Sequence, residues 1–155
     1  MTGGISRKFN KREEEMKAVD LAYMAGIVDG EGCIAIDRFT NKNLPSYCYR
    51  LKLRVTNTNH WLIEQMKYYF GGNIKTVRPR NEKVKQAWEW YLAGKPASLC
   101  LKFLLPYLHI KKPQAELGIR FQAGKQGKGH YLTDKRRAIE ETEWILAKSM
   151  NKRGG

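Results

Sequence analysis

The stretch Leu21–Cys33, LAYMAGIVDGEGC, joins two patterns that pull in different directions. Its first eight residues are apolar or small, and then Asp29-Gly30-Glu31-Gly32 alternates acid with glycine. Leu21, Met24 and Val28 share one side of a helix expected to begin near Asp20, whose carboxylate suits an N-cap. Ala22, Ala25, Gly26 and Asp29 fall at i, i+3, i+4 and i+7, a stripe of very small residues ending in an acid. The glycines on either side of Glu31 let the backbone turn and keep bulk away from that carboxylate.

After Gly32 the period changes from helical to alternating. Cys33–Phe39 reads as a strand with Ile34 and Ile36 facing one way, Ala35 and Asp37 the other. In Tyr49–Thr56 one face is Tyr49, Leu51, Leu53 and Val55, and the other is Arg50, Lys52, Arg54 and Thr56. An antiparallel sheet with one buried face produces such alternation. Three cations in a row repel one another unless an anion covers them, so this face suits a polyanion; an ordinary solvated face is the alternative.

Asn57-Thr58-Asn59 ends that strand and can cap a helix over His60–Phe70, which Gly71-Gly72 terminates. Strands are expected at Ile74–Arg78 and Val84–Leu92, joined by a turn through Pro79–Glu82, with Trp88 and Trp90 on one face. Pro96 and Pro113 suit the first turns of two helices, the first ending before Pro106 and the second running through Phe121. Ala123–His130 is a glycine-lysine loop, and a last helix runs from Thr133 to Met150 with Ile139, Thr142, Leu146 and Met150 on its apolar stripe. The order, αββαββ followed by three helices, predicts one α+β domain over residues 1–155. Its single antiparallel sheet is covered on one side, and residues 1–17 and 151–155 are expected to be loose.

Composition bounds the partner. Of 155 residues, 29 are Lys or Arg against 15 Asp or Glu, a net charge of +14, which favours a phosphate polyanion over an acidic membrane surface. The longest apolar run is far short of the roughly 20 residues needed to span a bilayer, and no secretory signal opens the chain, so an intracellular location, cytoplasmic or organellar, is expected. Cys33, Cys48 and Cys100 are odd in number and widely spaced, which argues against a disulfide framework or a CxxC zinc site.

At the end of a helix, beside an exposed carbonyl, Glu31 is oxygen-ligand chemistry for Mg²⁺ or another divalent cation. One acid is few for phosphodiester hydrolysis, where two metal ions clamp the attacking and leaving oxygens. Helices of two chains packed through the small-residue stripe at Ala22, Ala25, Gly26 and Asp29 would bring two copies of Glu31 to one axis. A monomer whose helix simply ends in an acidic turn is the competing reading.

Met24–Gly32, MAGIVDGEG, resembles the LAGLIDADG motif that names a family of intron- and intein-encoded homing endonucleases. The basic strand, the FGG turn at Phe70–Gly72 and LPYLHIKKPQA at Leu105–Ala115 follow in family order, so the likeness spans residues 18–121. It implies an αββαββα fold, with further helices, in which a saddle of antiparallel strands lies over double-stranded DNA, and a homodimer joined through the motif helices. It further implies that Glu31 holds the metal with the carbonyl of Gly30 nearby and that Asp29 is structural. Asn57, or Asn59, would position water, and Lys111, or Lys112, would lie near the scissile phosphate. Glu replaces Asp as the second acid and retains the ligand; Asn in place of Gln weakens the water-positioning assignment.

From the alternation itself, Arg50, Lys52 and Arg54 are the leading DNA contacts, joined by Lys75, Arg78 and Arg80. Asp37 and Gln86 are candidates to read base edges. The function expected is a Mg²⁺-dependent, homodimeric endonuclease that cuts both strands of a long, nearly palindromic site. An RNA maturase acting on its host intron and a non-catalytic DNA-binding protein on the same scaffold are the alternatives.

Overall fold

The computed structural model describes residues 16–125 and 133–152. Elements follow the expected order: α1 (Ala18–Glu31), β1 (Gly32–Thr40), β2 (Tyr47–Asn57), α2 (His60–Phe70), β3 (Asn73–Val77), β4 (Ala87–Ala93), α3 (Lys95–Leu104), a 3₁₀ turn at Leu105–Tyr107, α4 (Lys112–Ala123) and α5 (Asp134–Asn151). Of the ends expected to be loose, residues 1–15 and 153–155 lie outside the described residues, as does most of the glycine-lysine loop.

The four strands form one antiparallel sheet in the order β1-β2-β4-β3. Alternation fixes which face is buried. Ile34, Ile36, Leu51, Leu53, Val55, Trp90 and Leu92 point into the core with the helices, while Asp37 stands opposite Arg50, and Arg54 opposite Tyr91, on the other face. Because the side-chain period is two, slipping the register by one residue would bury the cations, so the pattern specifies the pairing strongly. The Trp90 indole N–H donates to the Gly71 carbonyl at 2.7 Å, where Gly71 and Gly72 both take positive φ. Trp88 is half-buried against the His60 ring.

Two element starts and the buried face of one helix differ from the sequence expectation. Helix α1 starts at Ala18, and Asp20 lies inside its first turn, its carboxylate accepting the Lys17 amide at 3.2 Å. Strand β4 starts at Ala87 rather than Val84, because Asn81 folds the preceding chain into a turn. Its side chain accepts the Lys83 amide and its carbonyl the Val84 amide. Helix α5 is rotated: Glu140, Glu143 and Ala147 are buried, while Ile139 and Leu146 of the expected stripe are each 39% exposed. Charge pairing sets that rotation. Glu140 meets Lys125 and Arg136, and Glu143 meets Arg120 and Arg136.

Helix α1 passes into β1 with no loop between them. At that junction a Cβ on Gly32 would sit 2.7 Å from the Val28 carbonyl oxygen and 2.9 Å from its Cα. Gly32→Ala is therefore expected to destabilise the fold by about 1–3 kcal/mol through overpacking against helix backbone that cannot swing away. Denaturant unfolding measures it, and an unchanged midpoint with an unchanged slope would refute the close approach.

Candidate active site

Glu31 is the last residue of α1, and both it and Gly30 are exposed. The helix therefore runs through the glycine-acid alternation instead of breaking at it, and its C-terminal end carries the carboxylate. The preceding acid turns the other way. Asp29 is 9% exposed, and its carboxylate accepts three main-chain N–H groups: His109 at 2.9 Å, Ile110 at 3.1 Å and Lys111 at 2.9 Å. Burial alone would push this carboxyl up. The three donors, with the charge of Lys111, instead hold it below its ordinary value.

That clamp delivers Lys111. Its Nζ donates to the Asp29 main-chain oxygen at 2.5 Å, so a cation from a segment some eighty residues downstream sits at the C-terminal end of α1. The negative end of the helix dipole favours it there, and α1 has no basic residue of its own in its last turn. Lys112 begins α4 and is exposed; it makes none of these contacts.

The β1–β2 ladder has Gly32 opposite Val55, and β2 runs on to Asn57, so the end of β2 lies alongside the end of α1. Asn57 Oδ1 accepts the Asn59 amide at 2.7 Å, and Asn59 Oδ1 accepts the Leu62 amide at 3.3 Å as the N-cap of α2. Each side-chain oxygen thus takes one main-chain N–H, and each side-chain amide nitrogen has no bonded partner among the described residues.

Among the described residues no group of three or more His, Cys, Asp or Glu side chains converges as a metal site. The donor set at the end of α1 is one carboxylate, Glu31, with main-chain carbonyls. This suits Mg²⁺, which keeps several waters and commonly takes the rest of its ligands from phosphates.

The stripe on α1 divides. Ala25 is fully buried and Asp29 nearly so, both within the chain's own core, which corrects their assignment to an outward seam. Ala22 and Gly26 do face outward, in the company of Val19 at 76% and Tyr23 at 54% exposure. Continuing the 3.6-residue period from Gly26 in both directions would have found Val19, Tyr23 and Gly30. Among the described residues a Cβ at Gly26 or Gly30 meets nothing within 4 Å, so none of them requires glycine at either position.

On the open sheet face Arg50 is exposed, and Lys52 and Arg54 are half-buried. Lys52 and Lys75 both lie over the Tyr91 ring, at 4.8 and 5.5 Å from its centroid. The face also carries acids: Glu89 pairs with Lys75 at 2.9 Å, and Asp37 lies across from Arg50. Glu89 and Tyr91 were legible from their alternation with Trp88 and Trp90. Arg78 and Arg80 are exposed in the connection after β3. Gln86 spends its amide nitrogen on the Val77 and Ala87 carbonyls, at 3.0 and 2.7 Å. That nitrogen closes the end of the β3–β4 hairpin, and the side chain is exposed.

The sequence profile of the LAGLIDADG endonucleases matches residues 24–125, from within the motif helix through the Lys111 segment and α4. The chain belongs to the LAGLIDADG endonuclease family. It is 32% identical over 99 residues to DNA endonuclease I-CvuI of Chlorella vulgaris, an alignment covering 62% of this chain and 59% of that protein. The LAGLIDADG fold extends over nearly the whole chain. A crystal structure of I-CvuI in complex with its target in the presence of calcium superimposes with a TM-score of 0.74 at 23% identity, covering 88% of this chain and 84% of that one. An archaeal intron-encoded homing endonuclease complexed with DNA gives 0.72 at 13% identity, covering 88% and 87%. I-GzeII, also in complex with DNA, gives 0.63 at 21% identity and is matched over 43% of its length by 83% of this chain.

Proposed function

We propose that the protein is a homodimeric, Mg²⁺-dependent homing endonuclease that cuts both strands of a long, nearly palindromic DNA site. The observation that carries this reading is the Asp29 clamp, which brings Lys111 to the end of α1 that bears Glu31, beside a basic sheet. Glu31 and the Gly30 carbonyl would hold the metal ion, which supplies charge neutralisation for the attacking and leaving oxygens. Lys111 contributes a fixed positive charge near the scissile phosphate, and Asn57 offers its amide nitrogen to the attacking water. Arg50, Lys52, Arg54 and Lys75 bind backbone phosphates, and Asp37 faces the bases.

The outward face of α1 supports the dimer. Val19, Ala22, Tyr23, Gly26 and Gly30 leave an apolar, small-residue surface on which a second copy could approach closely. Two copies of the site related by a two-fold axis would impose two-fold symmetry on the DNA. Selection of cleaved members from a random duplex library with Mg²⁺ tests both parts together. A nearly palindromic recovered site is expected. A site without symmetry would sink the homodimer, and a protein that binds duplexes but cleaves none would be a non-catalytic binder.

A further inference from the structure

Away from the proposed active site, an open groove of about 940 Å³ wraps the outer edge of β1 beneath the last two turns of α5. Arg38 and Arg50 line its strand side, and Lys148 and Lys152 its helix side; among the described residues the only carboxylate on its walls is Asp37. These cations are placed in an unusual way. The Arg38 guanidinium is held between the Tyr47 and Trp144 rings, 4.1 Å from each centroid. Lys148 lies over the same Trp144 at 4.7 Å, and Arg50 lies over Phe39 at 5.2 Å. Among the described residues none of the four forms an ion pair with a carboxylate. Elsewhere Lys75, Lys125 and Arg136 all do. An aromatic ring orients a cation without neutralising it, so the groove keeps its charge for an external anion.

The helix wall is fixed in place. The Asn151 side-chain amide donates to the Ile34 carbonyl on the edge of β1 at 2.7 Å, and Trp144 packs against Tyr49. The groove is also continuous with the open sheet face, since Arg50 and Arg54 belong to both.

We infer that this groove is a second phosphate-binding subsite, in which one backbone of the bound DNA duplex runs along the edge of β1 between Arg38 and Arg50 on one side and Lys148 and Lys152 on the other. The inference rests on the reading of the sheet as the DNA-binding face. It assigns the end of α5 to DNA affinity, at residues beyond the stretch that the family profile matches. These contacts reach phosphates and carry no base readout, so they raise affinity for any duplex alike.

The test needs no knowledge of the target site. Binding of the full chain to a fluorescent random-sequence DNA duplex is measured by anisotropy across a salt series. The variants are Lys148→Gln/Lys152→Gln, Arg50→Gln/Lys52→Gln, and Lys67→Gln/Lys102→Gln as a control for net charge on exposed positions away from the groove. Loss of two phosphate contacts is expected to lower the slope of log affinity against log salt by about 1.8 in the first variant. The control should keep its slope. An unchanged slope in the first variant overturns the subsite. If Arg50→Gln/Lys52→Gln lowers the slope in that case, the sheet reading stands alone; if it does not, both fall. An effect of the α5 lysines without an effect of Arg50 and Lys52 would put the DNA off the sheet and overturn the continuous path. So would an effect seen only with an RNA duplex in place of DNA.

Discussion

Glu31→Gln is expected to reduce DNA cutting by at least roughly 10²–10³-fold while leaving DNA affinity within about twofold of the unmodified protein. The substitution keeps the shape of the side chain and removes its charge. Glu31 is exposed at the end of α1, with no described structural partner whose loss would unfold the chain. Stability should therefore hold, and the defect should lie in metal use. The expected signature is that raising the Mg²⁺ concentration recovers little, because the one carboxylate of the donor set is gone. In the proposed function, binding rests instead on cations of the sheet, Arg50, Lys52 and Lys75, which the substitution does not touch. Single-turnover cleavage and anisotropy binding on the same duplex separate the two. Unimpaired cutting by Glu31→Gln would end the assignment of Glu31 as the metal ligand.

The sequence made some features plain for physical reasons. The sheet was legible because a half-buried antiparallel strand cannot hide its period: Leu51, Leu53 and Val55 had to face away from Arg50, Lys52 and Arg54. The helix α2 was legible to the residue because Asn59 and Gly71 punctuate it. Where the sequence misled, a side chain had a partner that no local pattern announces. The Gln86 amide nitrogen meets two carbonyls at the hairpin end. The apolar stripe of α5 gave way to Glu140 and Glu143, whose partners Lys125 and Arg120 belong to or adjoin another helix. Ala25 and Asp29 shared spacing with Ala22 and Gly26. Counting small residues along one helix cannot tell the inward half of a stripe from the outward half; only packing against α3 and the His109–Lys111 segment does. The catalytic pairing of Glu31 with Lys111 was implied by family likeness alone, because nothing in residues 105–115 points to an acid eighty positions earlier.

The second large effect is expected at Asp29, where one buried carboxylate ties α1 to the segment before α4. Asp29→Ala should destabilise the fold by about 2–4 kcal/mol. Three main-chain donors lose an ionised acceptor, each such bond contributing roughly 1.5–3 kcal/mol. The total falls short of their sum because His109 and Ile110 are exposed and water can reach their amides. Asp29→Asn retains one acceptor oxygen and should cost about half as much. The pH dependence has a definite sign. The folded carboxyl lies below its ordinary value of 3.8, so its contribution is fully present above that value and is lost as the pH falls below it. The unmodified protein should therefore lose stability on acidification in that window, and Asp29→Asn should lose less of it. The same clamp positions Lys111, which gives a functional readout that a purely structural role would not move. If Asp29 acts on cutting through Lys111, then adding Lys111→Ala to Asp29→Ala should worsen cutting far less than Lys111→Ala does alone, a non-additivity expected of groups acting as a unit. Cutting rates of the two single variants and the double, measured under conditions where all remain folded, give the coupling directly. Fully additive losses would separate Asp29 from Lys111 and leave it as a residue of the fold only.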